Sequence, residues 1–118
     1  MKNLLIETLS KVGLIAGKTL FLQGTFNPAE KYPDTFATFW TNYTDDGEHF
    51  DNETTSFEWA FTVILYSNNP TIVNEKPDEI RAALKAVGFI PQGKGQDVPS
   101  DEPTHTGWAM DFVIKEFE

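Results

Sequence analysis

The chain has 118 residues and no cysteine, with 18 acidic against 9 basic side chains and a formal charge of −9 at pH 7. That length suits one domain around one core, and without cysteine there is neither a disulfide framework nor thiolate chemistry. A surface of this sign repels nucleic acid and anionic membranes, and no apolar run reaches the roughly 18 residues of a membrane span.

The first 15 residues contain Glu7 and Lys11 and lack a small-residue cleavage site, so they do not read as a signal peptide. Residues 3–15 read as a helix, with Leu4, Leu5, Leu9 and Val12 at helical spacing and Gly17 as its stop. Residues 18–22 are a short strand candidate anchored by Phe21, and residues 24–33, holding two prolines, a loop. Residues 35–43 form the next strand, where imperfect alternation of Phe36, Phe39, Trp40 and Tyr43 predicts a bulge near Phe39. Residues 44–53 are acidic and turn-forming around Asp46-Gly47, which predicts an extended hairpin loop projecting from the body.

The strand over residues 56–66 carries the clearest pattern in the chain. Phe57, Trp59, Phe61, Val63 and Leu65 fall on alternate positions and so on one face. The other face, with Ser56, Glu58, Ala60, Thr62, Ile64 and Tyr66, is mixed rather than wet, which leaves room for partial cover there too. Asn69-Pro70 is a helix start. Ile72, Val73, Ile80, Ala83, Leu84 and Val87 form the apolar stripe that follows, which Pro77 is expected to split into two helices ending at Gly88. Phe89-Ile90 is a brief strand candidate, residues 91–106 a long loop, and residues 107–117 the last strand, with Trp108, Met110, Phe112 and Ile114 on one face. The expected fold is therefore α+β, in the order α-β-β-β-α-(β)-β. It has an antiparallel sheet of about four strands, two helices packed on one side and a long projecting hairpin.

Chemistry-bearing motifs are weak. Asp45, Asp46, Glu48, Asp51 and Glu53 do not match the spacing of a calcium loop. His49 and His105 are the only imidazoles, too few for a zinc site without cysteine. Gly93-Lys94-Gly95 lies between a helix and a final strand, without the helix N-terminus a phosphate loop needs. Ser100, Asp101 and His105 lack a nucleophile elbow and read as a loop whose side chains bond to nearby backbone. No catalytic residue, cofactor or metal is expected. Trp40, Trp59 and Trp108 sit on three expected strands, where core packing is the default; one exposed at a sheet edge indicates a subunit contact.

Three segments nevertheless form a pattern: Phe57-Glu58-Trp59-Ala60-Phe61-Thr62-Val63-Ile64-Leu65-Tyr66-Ser67-Asn68-Asn69-Pro70, then Leu84-Lys85-Ala86-Val87-Gly88-Phe89, then Ser100-Asp101-Glu102-Pro103-Thr104-His105-Thr106-Gly107. Their order and spacing resemble small tail proteins of siphophages and prophages of Gram-positive bacteria, related to tail terminator or tail-to-head joining proteins. The resemblance implies an α+β subunit without catalytic residues that closes into a ring, a hexamer in that group, at the head-proximal end of the tail tube. Its implied partners are copies of itself, the major tail tube protein and head-completion or neck proteins. DNA passes through such a ring without specific binding, and no membrane is involved. Localisation in the virion tail or neck follows, after synthesis in the cytoplasm of the bacterial host. The chain departs from the pattern at Trp108-Ala109, where a basic residue and glycine are expected, and at Pro77, where the helix is expected to run uninterrupted.

A head-to-tail ring needs two different matching patches. The candidates are the hairpin residues Asp45, Asp46, Glu48, His49 and Asp51, and, in and after the long loop, Asp97, Asp101, Glu102, His105 and Trp108. The alternatives are another neck or minor tail component of the virion, or a small ligand-binding domain or enzyme with Asp97, Asp101 and His105 around a cleft.

Overall fold

The computed structural model describes residues 1–22, 32–50, 53–100 and 103–117, with backbone alone for residues 45–50 and 53–55. The elements run α1 (Lys2–Ser10), β1 (Leu20–Leu22), β2 (Thr35–Phe50), β3 (Glu53–Ser67), α2 (Pro70–Ala86), β4 (Ile90–Pro91), β5 (Gln96–Val98) and β6 (Thr106–Phe117). This is an α+β arrangement of two helices and one six-stranded sheet, ordered β1-β2-β3-β6-β4, with β5 also on β6. The expected four-stranded antiparallel sheet is thus corrected to a mixed one, because β1 pairs with β2 in parallel, Leu20 opposite Ala37.

The core follows from alternation on β3. Phe61, Val63 and Leu65 are fully buried, opposite Phe112, Met110 and Trp108 of β6. Both helices lie on this face, and Leu5, Leu9, Ile80 and Leu84 join the strand residues in one cluster. Fully burying each such side chain contributes about 1.5–3 kcal/mol. Phe89 closes the cluster edge-on to Phe61, at 6.1 Å between ring centres, and Trp59 stacks on Phe61 from the other direction at 5.9 Å.

Two helical expectations are corrected. α1 stops at Ser10 rather than running to residue 15. Gly13 at φ 92° turns the chain so that the Leu14 N–H reaches back to the Leu9 carbonyl, which buries Leu14. The Lys76 ammonium donates to the Val12 carbonyl at 2.6 Å and ties this turn to α2. α2 begins as expected, with Pro70 at its start and the Asn69 side chain accepting from the Thr71 N–H at 3.0 Å. It then continues through Pro77 as one helix. The missing N–H costs a hydrogen bond, but Val73, Pro77, Ile80 and Leu84 recur at helical spacing on the buried side and hold both halves to the sheet.

The hairpin is longer and more regular than the sequence suggests. The acidic stretch to Phe50 is strand, not loop, and β2 and β3 pair from Thr35↔Ser67 out to Phe50↔Glu53. The bulge lies between Thr41 and Tyr43 rather than near Phe39, with further register shifts after Asp46 and Glu48. Sixteen residues at about 3.3 Å each span roughly 53 Å, which accounts for the longest dimension of 54 Å in a molecule otherwise 28 by 23 Å. β6 accompanies β3 only as far as Ser56↔Phe117, so the outer arm is a two-stranded ribbon. At the other end of the sheet, part of the expected 91–106 loop is strand: β5 pairs Gln96 with Ala109 and Val98 with Gly107. The positive φ of Gly95 and a hydrogen bond from the Trp108 indole N–H to the Lys94 carbonyl, 2.8 Å, hold it there.

Candidate functional site

The candidate residues separate into two regions at opposite ends of the sheet. Asp45, Asp46, Glu48 and His49 are on the arm, opposite Glu58, Phe57, Ser56 and Thr54. Asp51, Asp101 and Glu102 lie outside the described residues. Where the arm leaves the body, the Tyr43 hydroxyl donates to Glu58 at 3.1 Å. Three buried polar atoms there, Thr41 Oγ1, Ser56 Oγ and Trp59 Nε1, find no hydrogen-bond partner. Each such group forfeits about 1–3 kcal/mol, so the root of the arm is packed well but satisfied poorly.

Asp97 and Trp108 are brought together at the far end, directly opposite each other across β5 and β6. They line an open cleft of about 390 Å³ with Pro70, Val73, Asn74 and Pro77 of α2, together with Asp78, Lys94 and Thr106. Its floor is apolar, and its rim carries carboxylates and one ammonium. Asp78 is already within 3.6 Å of Arg81. Both positions where the chain departs from the resembled pattern, Pro77 and Trp108, line this cleft. Trp108 is partly buried against the core rather than displayed at an edge.

His105 takes no part in the cleft. One ring nitrogen, Nε2, lies 2.8 Å from the Pro33 carbonyl, and Nδ1 lies 3.0 Å from the Thr104 hydroxyl. With Nε2–H donating to the carbonyl, Nδ1 accepts from the hydroxyl. The ring sits against Phe36 and Tyr32, with centroids at 5.8 and 6.1 Å. It is a clasp between the segment before β2 and the segment before β6, with both nitrogens committed. Asp97 is exposed, and among the described residues no group of three His, Asp or Glu side chains is placed to hold a metal.

A polar chain crosses the sheet on the face away from the helices, and sequence reasoning missed it. The Trp40 indole N–H donates to Asn42 at 2.8 Å, the Asn42 amide to the Thr62 hydroxyl at 2.6 Å, and that hydroxyl to Asp111 at 2.6 Å. The bulge at Asn42 makes it possible by turning an additional side chain to this face. The imperfect alternation before Tyr43 was its only trace in the sequence. Among the described residues, no helix is long and apolar enough to cross a membrane. Compared with known proteins, the chain matches no protein-family model and no curated protein.

Proposed function

We propose that the chain is a structural protein of a phage or prophage, a tail terminator or head–tail joining subunit that closes with copies of itself into a ring at the end of the tail tube. The observation that supports this reading most directly is the arm. The inner part of the β2–β3 hairpin builds the core, but its acidic outer part runs on past the core residues, and beyond Ser56↔Phe117 only β2 and β3 pair. A two-stranded end is marginal in water by itself, so an extension of this kind makes sense as reach toward a neighbour. The cleft at the opposite end of the sheet gives the second, different patch that a head-to-tail contact needs. The resemblance over residues 57–70, 84–89 and 100–107 supplies the tail context. Acidic residues along the arm would give a ring a wall that repels DNA, so that DNA slides through without sticking.

The test is to delete the gene in a producing phage or prophage and examine the particles by electron microscopy. Tails of uncontrolled length, or complete tails that fail to join heads, are expected, with rescue by the full chain and not by a chain lacking residues 44–55. Immunogold labelling should place the protein at the head-proximal end of the tail. Assembled tails without it overturn the proposal.

A further inference from the structure

We propose that Phe50, at the tip of one copy's arm, seats in the Trp108 cleft of the next copy and is the apolar anchor of the head-to-tail contact. This rests on the ring reading above and names the two surfaces that meet. The cleft suits an apolar side chain. Pro70, Val73, Pro77 and Trp108 line it, and the indole N–H is already committed to the Lys94 carbonyl at 2.8 Å, which leaves the ring for packing. Its volume of about 390 Å³ lies within the roughly 300–1,000 Å³ of ligand sites and has room for one aromatic side chain.

The arm supplies one such side chain. Between Thr44 and Thr55 every residue is polar, charged or glycine except Phe50. The backbone places Phe50 opposite Glu53 in the last pair of the hairpin, beyond the end of β6. Among the described residues, the core cluster reaches no further out along β3 than Trp59, so the tip lies past the core of its own chain. Nor can the tip fill its own cleft. Glu53 and Leu65, the β3 partners of Phe50 and Trp108, are twelve residues apart, which is about 40 Å of strand. A second copy is therefore the source, and the contact joins two different surfaces, as a head-to-tail ring requires. Charge admits an acidic tip at this place. A chain of charge −9 repels its own copies over most of its surface. At the cleft, however, Asp78 lies 3.6 Å from Arg81 and Lys94 offsets Asp97, so the rim is close to neutral. Lys94 is also the cation on hand for Asp51, the neighbour of the anchor.

Sedimentation velocity on the full chain, in salt that screens the net charge, tests this. The wild type is expected to associate reversibly and to grow past the dimer as concentration rises. Phe50→Ala removes the anchor. Asn74→Trp fills the cleft from an exposed position on its wall without changing the charge. Each variant alone should associate at least about tenfold more weakly, as expected for the loss of one buried aromatic side chain, with its melting temperature retained. Mixed together, the two should form a one-to-one pair and nothing larger, because one supplies an intact tip and the other an intact cleft. Phe117→Ala, at an exposed apolar position outside both surfaces, should associate as the wild type does. A wild type that stays monomeric to about 1 mM, normal association in either Phe50→Ala or Asn74→Trp, or a mixture that forms no pair overturns the proposal. Association lost on removing residues 44–55 but kept in Phe50→Ala would overturn the anchor while leaving the ring reading intact. Conversely, assembled tails lacking the protein would defeat the ring reading and leave the tip-in-cleft contact of the free chain standing.

Discussion

Gly93 and Gly95 separate two effects that are usually confounded. Both have positive φ, 78° and 105°, a region that costs an L-residue about 1–2 kcal/mol. A Cβ at Gly93 meets nothing within 4 Å, while one at Gly95 runs into the Ala109 carbonyl and the Trp108 indole nitrogen. Gly93→Ala is therefore expected to lower stability by about 1 kcal/mol. Gly95→Ala should cost more than twice that and detach β5 from β6. Urea denaturation measures the first difference, and a change in Trp108 fluorescence on loss of its bond to Lys94 reports the second. His105 makes a related case. His105→Ala removes the hydrogen bond to the Pro33 carbonyl and the ring packed on Phe36, for an expected loss of about 2 kcal/mol. His105→Gln should recover part of it if its side-chain amide reaches the same carbonyl; equal loss in both variants would show that the ring, not the donor, matters.

At the scale of elements, Pro77 is the sharpest question. Proline inside a helix is about 3 kcal/mol worse than alanine, whereas the ring methylenes lost on truncation are worth about 0.8 kcal/mol each when buried. Pro77→Ala should thus stabilise the chain by about 1–1.5 kcal/mol, measured as a higher urea midpoint at unchanged slope. A net loss would mean that the ring's contacts to the sheet outweigh the restored backbone bond. The same residue shows where sequence reading stops: helix physics alone predicts a break at Pro77, and only the buried stripe of Val73, Ile80 and Leu84 on both sides of it explains continuity. Alternation on β3 and β6 was legible because each buries a face across which no bulge intervenes. The parallel pairing of β1 was not, since three residues carry no direction. β5 was hidden because Gln96-Asp97-Val98 has no apolar period, and its pairing is held from outside by Trp108. Of the candidate site residues, Asp97 and Trp108 meet only because β5 folds back along β6, a tertiary event that spacing cannot reveal.

At the scale of the whole molecule, charge and shape oppose each other. A ring of the kind proposed brings together elongated copies that each carry a net charge of −9, which resists their assembly. Self-association should therefore respond to salt in the direction opposite to that of an ion-paired complex. The screening length falls from about 30 Å at 0.01 M ionic strength to about 10 Å at 0.1 M and 3 Å at 1 M. Repulsion between two bodies of 54 by 28 by 23 Å is then largely removed between the first two conditions. The associated fraction at fixed protein concentration should rise steeply from 0.01 to 0.1 M salt and flatten beyond, following the screening length. Neutralising the arm with Asp45→Asn, Asp46→Asn and Glu48→Gln should shift that rise to lower salt, because it removes part of that repulsion. Light scattering across a salt series measures both curves. An associated fraction that falls with salt would identify attraction between opposite charges as the force that joins the copies.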